Sequence, residues 1–169
     1  MELASAVTQS YLTFRLDDEL FATSVINVIE ILELTRITKV PRSPSFMRGV
    51  INLRGTVLPV IDARQKFGLD KTPDTVNTCI LVLNIQIDNE KLTVGALVDA
   101  VQEVLDIDIS TIQPAPSIGS RYKSEFIDGM VKGNDKFIML LNVSKVFSSE
   151  EVSILKEGYD MGENTSINQ

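Results

Sequence analysis

Val57-Leu58-Pro59-Val60-Ile61-Asp62 is answered eighty residues later by Phe137-Ile138-Met139-Leu140-Leu141-Asn142. Each is a continuous apolar run closed by a short polar side chain. Such runs are too short for ordinary helices and fit strands covered on both faces. The same offset aligns Phe46-x-x-Gly49 with Phe126-x-x-Gly129, and Phe67 with Phe147. Upstream, Val28-Ile29-Glu30-Ile31-Leu32 parallels Val101-Gln102-Glu103-Val104-Leu105 at an offset of 73, and Pro44-Ser45-Phe46 parallels Pro116-Ser117-Ile118 at 72. The change of offset reads as an insertion of about seven residues near 118–125, a surface-loop length. Chance likeness of apolar strands is the alternative, and two Phe-x-x-Gly anchors in register argue against it. The repeat predicts two similar β modules of about 70 residues each.

Other strand signals agree. Leu12, Phe14 and Leu16 alternate with Thr13 and Arg15, then Asp17-Asp18-Glu19 turns the chain toward Phe21 and Ala22. Leu81, Leu83, Ile85 and Ile87 alternate likewise, before the turn Asp88-Asn89-Glu90 and the set Leu92, Val94, Ala96. Pro59 removes a ladder donor, which predicts a sheet edge or a bulge there. Helix signals are few. Ser148-Ser149-Glu150-Glu151 is a capping box, followed by Val152, Leu155 and Tyr159 at helical spacing, with Gly158 as a stop. This predicts one C-terminal helix near 149–157, with shorter helical turns at Ser43–Arg48, Asp62–Lys66 and Asn142–Val146. Residues 1–9 and 160–169 read as loose polar tails.

Composition excludes several functions. The chain has 169 residues, 44% of them hydrophobic, and a net charge of −7. It contains no histidine, which removes Ser-His and Cys-His nucleophile systems and imidazole metal sites. The single cysteine, Cys79, allows no internal disulfide and no Cys-rich zinc site. An isoelectric point near 4.6 argues against nucleic-acid binding, which needs a basic surface. Apolar runs fall far short of the ~20 residues that cross a bilayer, and the opening residues lack the features of a signal peptide. The expectation is a soluble cytoplasmic protein with no direct membrane insertion.

Catalytic motifs are weak. Ser120-x-x-Lys123 and Ser153-x-x-Lys156 match a Ser-Lys nucleophile pattern, but its companion elements are missing. Asp106-Ile107-Asp108 would set two carboxylates on one strand face, read here as a solvated face rather than a cation site. Cys79 lies among strand formers and reads as an inert buried thiol. Asn142-Val143-Ser144 and Asn164-Thr165-Ser166 match the glycosylation sequon, with nothing to suggest secretion. No P-loop or dinucleotide motif is present. A small acidic hydrolase using paired carboxylates is the rival from the enzyme class; no catalytic residue, cofactor or metal is assigned.

What remains is binding chemistry. Gly49-Val50-Ile51-Asn52-Leu53-Arg54-Gly55-Thr56-Val57 sets Asn-Leu-Arg-Gly between two apolar stretches, which puts Arg54 at a hairpin tip. Gly55 adopts positive φ there without steric cost. An arginine so placed can pair with a carboxylate while its apolar neighbours bury against a partner. An ordinary surface arginine in a turn is the plain alternative.

Residues 28–31, Phe46–Gly55 and Pro59–Phe67 resemble the bacterial chemotaxis coupling protein family, CheW. Val94–Val101 and Ile112-Gln113-Pro114-Ala115-Pro116 are similar to it as well. The likeness spans 10–155, nearly the whole chain, as a single CheW-like domain. It implies a mainly β fold of two intertwined five-stranded SH3-like barrels sharing a hydrophobic core, with a C-terminal helix. The modules would cover about 15–70, with segments packed across, and about 75–147. It implies a non-catalytic adaptor that bridges the cytoplasmic tip of a methyl-accepting chemoreceptor to the regulatory domain of the histidine kinase CheA, recruited to membrane-associated receptor arrays. A chemotaxis-like pathway controlling pilus motility or a second messenger is the runner-up. On this resemblance Asn52, Arg54 and Gly55 map onto the partner-contact motif, with Gly49 permitting close backbone approach beside it. Val28, Glu30 and Ile31 lie on the first-module coupling segment, and Val101 and Val104 on its second-module equivalent. Ala63 stands where the family often has leucine, and Gln113 where it often has arginine.

Overall fold

The structure is a computed structural model that describes residues 7–69, 73–87, 89–114, 126–148 and 151–153. Its strands are β1 (Thr8–Leu16), β2 (Glu19–Ser24), β3 (Val28–Glu33), β4 (Met47–Leu53), β5 (Thr56–Asp62), β6 (Cys79–Ile87), β7 (Glu90–Val98), β8 (Ala100–Asp108), β9 (Ile127–Lys132) and β10 (Phe137–Leu141). A four-residue helix, α1 (Ala63–Lys66), follows β5, and Asn142 caps a single 3-10 turn at the matching place after β10.

Two five-stranded sheets result, in the orders β8-β1-β2-β10-β9 and β3-β6-β7-β5-β4. The two orders correspond strand for strand under the repeat. They also show that the modules are not successive stretches of chain. Hairpin β1–β2 belongs to the first repeat but completes the sheet of the second, and hairpin β6–β7 does the reverse. Each exchanged hairpin is held by a short parallel ladder: Leu20, Phe21 and Ala22 against Ile138, Met139 and Leu140, and Gly95, Ala96 and Leu97 against Val60, Ile61 and Asp62. The mainly β, two-barrel architecture expected from the sequence is therefore present. Each sheet draws strands from both repeats.

Each sheet rolls up and closes on itself. Beyond β3, Thr38 exchanges both backbone hydrogen bonds with Val50 (2.9 and 2.8 Å); beyond β8, Gln113 does so with Met130 (both 2.8 Å). This approach leaves no room for a side chain on the facing glycine. A methyl on Gly49, whose φ is +148°, would meet the Thr38 carbonyl oxygen at 2.2 Å, and one on Gly129 would meet that of Gln113 at 2.7 Å. The Phe-x-x-Gly anchors are thus barrel-closing residues.

Three cores follow from the closure. Ile51, Leu58, Val60, Ile80, Val82 and Leu97 fill one barrel, and Tyr11, Ala22, Ile107, Val131, Ile138 and Leu140 fill the other. The largest cluster lies between the barrels and takes Leu12, Phe14 and Leu16 from β1 and Leu81, Leu83 and Ile85 from β6. Strands β1 and β6 therefore bury both faces. The alternation read at Thr13 suggested a half-exposed strand, yet Thr13 is buried with its hydroxyl bonded to the Glu103 backbone. The repeated phenylalanines meet across the seam between repeats: Phe46 with Phe147 at 6.2 Å between ring centres, and Phe67 with Phe126 at 5.7 Å. Lys66 Nζ stands 5.2–5.8 Å from the centres of the Phe46, Phe126 and Phe147 rings and pairs with Glu151 at 2.8 Å.

One charged network lies in this apolar setting. Arg64 is fully buried just beyond β5. It donates through Nε and Nη2 to Asp62 (3.0 and 3.2 Å) and through Nη1 to Asp99 (2.8 Å). Asp99 in turn accepts the Asp17 backbone N–H at 2.6 Å, at the tip of hairpin β1–β2. The guanidinium thereby ties one sheet to the hairpin that completes the other.

Several local expectations are modified. Pro59 is not at a sheet edge: β5 lies between β7 and β4, but its ladder with β7 begins at Val60, so the missing N–H breaks no pairing. The bulge is on β4, between Met47 and Gly49. Ser43–Arg48 forms turns that lead into β4, with Met47 N donating to Pro44 O, and is not helical. Thr8 and Gln9, assigned to a loose tail, are ladder residues of β1 opposite Asp108 and Ile107. The capping box at Ser148 and Glu151 is formed in both directions (2.9 and 3.1 Å), and residues 151–153 are helical. The remainder of the expected helix, the second tail, Ser120-x-x-Lys123, Lys156 and the second sequon lie outside the described residues.

Phe67→Ala should lower unfolding free energy by about 3–5 kcal/mol, because it empties a ring site in the shared core. Arg64→Leu should cost a similar amount, roughly 3–5 kcal/mol, by removing the cation that hydrogen-bonds buried Asp62 and leaving it only Arg48 Nη1 at 3.7 Å. Urea denaturation checks both; a loss within experimental error would show that the inter-barrel seam does not hold the fold together.

Candidate functional site

The β4–β5 hairpin turns in two residues, Arg54 and Gly55, with φ of +53° and +86°. Positive φ at both central positions is the type I′ geometry whose twist matches its flanking strands, and Gly55 accepts it without penalty. Asn52 supports the turn by accepting the Gly55 N–H at its side-chain oxygen, 2.8 Å away. Its part in the motif is therefore to shape the tip. Gly49, further down β4, makes its close approach to this chain's own Thr38.

Arg54 is the chemical centre of the tip. Its side chain is 71% exposed, and Nη1 and Nη2 donate to the two carboxylate oxygens of Glu30 at 2.7 and 2.9 Å. Glu30 sits on β3, the far edge of the same rolled sheet, so the fork-to-fork pair spans the mouth of the barrel. The two hydrogen bonds hold the Glu30 carboxyl below the usual carboxylate range and raise the guanidinium further. A freely rotating arginine becomes one with a fixed direction.

Beside the pair runs an apolar edge. Strand β3 alternates strictly in exposure, turning Val28, Glu30 and Leu32 inward and Ile29, Ile31 and Glu33 outward. Ile29 and Ile31 are about half exposed, and Ile26 in the preceding turn is 79% exposed. Isolated exposed apolar residues are ordinary, but here several line one edge strand. Ile26 and Ile29 were not among the site residues drawn from the sequence. Both faces of Val28–Glu33 carry apolar side chains, so period 2 alone does not say which face the barrel covers.

The structure thus brings Asn52, Arg54, Gly55, Glu30 and the strand of Val28 and Ile31 into one region. Val28 itself is half-buried against the shared core. Val101 and Val104 are not in that region: both lie on β8, an edge of the other sheet, with Val101 half-buried and Val104 exposed. The weaker chemical candidates fall into structural roles. Asp106 accepts the Ser10 hydroxyl, and Asp108 caps the turn at Ser110. Cys79 is half-buried at the start of β6, and burial pushes its thiol up. Among the described residues no group of three or more His, Cys, Asp or Glu is placed to hold a metal ion, and no helix is long and apolar enough to cross a membrane.

A double barrel completed by hairpin exchange, with a rigid arginine tip beside an open apolar edge, defines a protein-interaction domain. Comparison with known proteins gives its family. The sequence profile of the CheW-like domain matches residues 10–151, and the chain belongs to the CheW-like domain family. It is 36% identical over 140 residues to a probable chemotaxis protein CheW of Rhizobium etli, covering 83% of this chain and 88% of that one. It is 32% identical over 149 residues to chemotaxis protein CheW of Klebsiella aerogenes, covering 88% and 87%. The crystal structure of the scaffolding protein TtCheW from Thermoanaerobacter tengcongensis superposes with a TM-score of 0.76 at 30% identity, over 89% of this chain and 95% of that one.

The Glu30–Arg54 pair has a pH signature. Because the folded carboxyl titrates below its unfolded value, the stabilisation is present above the ordinary carboxylate range and is lost as pH falls through the folded midpoint. Carbon-detected NMR titration should place Glu30 below the other exposed glutamates, and Arg54→Ala should bring it back among them. An unmoved midpoint would mean that the pair does not form in solution.

Proposed function

We propose that this chain is a non-catalytic scaffold that couples the cytoplasmic tip of a methyl-accepting chemoreceptor to the regulatory domain of the histidine kinase CheA. It works in the cytoplasm, at membrane-associated receptor arrays. The observation that carries the reading is the Arg54 tip, fixed by Glu30 next to the exposed β3 edge. The family and the chemotaxis names of the relatives support it.

The geometry suits such work physically. A fixed guanidinium loses little rotamer freedom on docking and presents remaining donors to a partner carboxylate. Ile26, Ile29 and Ile31 offer apolar area to a helix laid along the barrel or to another β domain. Glu30, Arg54, Asn52, Gly55, Gly49, Val28 and Ile31 serve one contact region, and Val101 and Val104 a second on the other barrel. Two modest contacts on one rigid body give firm assembly through multivalency. The separation of the regions lets both partners sit on the scaffold together.

Titration against the isolated regulatory domain of the cognate kinase, and separately against a receptor signalling-tip fragment, tests the reading by calorimetry. Saturable binding to both is expected. Arg54→Ala should weaken at least one of them about fivefold or more while the thermal melt stays close to native. Absence of binding to either partner would overturn the scaffold reading, and unchanged affinities would remove Arg54 from the interface.

A further inference from the structure

The repeat sets Asn52-Leu53-Arg54-Gly55-Thr56 against Lys132-Gly133-Asn134-Asp135-Lys136, and the arginine has no counterpart in the second tip. Strand register pairs Leu53 with Thr56 around Arg54-Gly55; in the other barrel Gly133 N donates to Lys136 O around Asn134-Asp135. Asn134 therefore stands where Arg54 stands. The facing glutamate is kept, since Glu30 and Glu103 occupy the same place on β3 and β8, each beside a bulge. One barrel mouth is spanned by a Glu–Arg pair, and the other has the glutamate without the arginine. Among the described residues the Glu103 carboxylate has no ion-pair partner.

The mouth lacking the arginine is a groove of about 700 Å³ between β8 and the β9–β10 hairpin, with Glu103 and Asn134 both on its wall. Its apolar lining includes Leu105, Ile107, Val131 and Ile138, the exposed end of that barrel's own core. Its rim carries the carboxyl groups of Asp18, Glu103, Asp106, Asp108 and Asp135 against the cations Arg15, Lys132 and Lys136. Two of those acids are committed, Asp106 to Ser10 and Asp108 to Ser110, and Lys136 Nζ donates to the Asp18 carbonyl. An aliphatic stem carrying a planar cation matches this arrangement of apolar lining and acidic rim.

We propose that this groove receives an arginine at the tip of a β-hairpin from a partner protein, the incoming guanidinium taking Glu103 as Arg54 takes Glu30. The occupant's chemistry is set by the sister barrel, where the equivalent glutamate holds that cation with two hydrogen bonds at 2.7 and 2.9 Å, on a tip whose two residues have positive φ as Asn134 and Asp135 do not. A carboxylate-tipped loop would meet an excess of like charge on the rim. The scaffold reading bears on this only through which protein supplies the hairpin. A probe carrying its own arginine separates the two, because failure here leaves the kinase and receptor titrations untouched.

The probe is a cyclised hairpin peptide whose tip has the sequence Asn52–Thr56, with an alanine-for-arginine peptide as control. It is titrated into the isotope-labelled full chain and followed by amide chemical shifts. Shifts should concentrate at Gln102–Asp106 and Lys132–Lys136 and be absent with the control peptide. Glu103→Ala should weaken binding about tenfold, the loss expected for one charge-assisted pair. Asn134→Arg should abolish binding, since the new guanidinium takes Glu103 within the same molecule. The native chain showing the same shifts with rising concentration would identify a second copy as the hairpin donor. No shifts at millimolar peptide, shifts elsewhere, or binding that survives both Glu103→Ala and Asn134→Arg would overturn the proposal.

Discussion

The structure depends on one exchange of backbone hydrogen bonds. Hairpins β1–β2 and β6–β7 each leave their own repeat and complete the sheet of the other, through parallel ladders with β10 and β5. Neither barrel can satisfy its strands without chain from both halves of the sequence. Unpaired strand edges are unfavourable when buried, so the two barrels are bound to form together. The shared core follows, because each exchanged hairpin must cover its outer face against the other barrel. That is why β1 and β6 are buried on both faces.

The seam created by this exchange is where polar and aromatic chemistry concentrates. Four repeated phenylalanines pair across it, and Arg64 crosses it through Asp99 to the Asp17 turn. A buried guanidinium is tolerable only with its donors satisfied, and three aspartates do that. The consequence for function is stiffness. The Arg54 tip and the β8 edge belong to different sheets, and the seam fixes one relative to the other.

The arginine tip and the apolar edge are what barrel closure leaves over. Closure at Thr38–Val50 pins the far end of β4, while the tip of the same hairpin projects beyond the sheet and meets β3 only through Glu30. The edge strand keeps its outward isoleucines exposed because none of the described residues packs over them. The two barrels share a frame but present different mouths, one spanned by a charge pair and one open with an acidic rim.

Much of this was legible in the residues alone. Apolar runs at 57–61 and 137–141, the eighty-residue offset and the Phe-x-x-Gly anchors gave strands and two similar β modules, because side-chain period and repeat spacing are local properties of the chain, and the double barrel came from the family resemblance. The Arg54 tip was legible for the same reason, since Asn-x-Arg-Gly between strands specifies its own turn. Pairing of strands was not. Which hairpin completes which sheet depends on contacts between residues more than a hundred positions apart, such as Leu20 with Ile138, and no local pattern records them. The burial of Arg64, the exposed face of β3 and the partnership of Arg54 with Glu30 were likewise decided by tertiary structure, because charge pairing and exposure depend on what packs alongside, not on sequence neighbours.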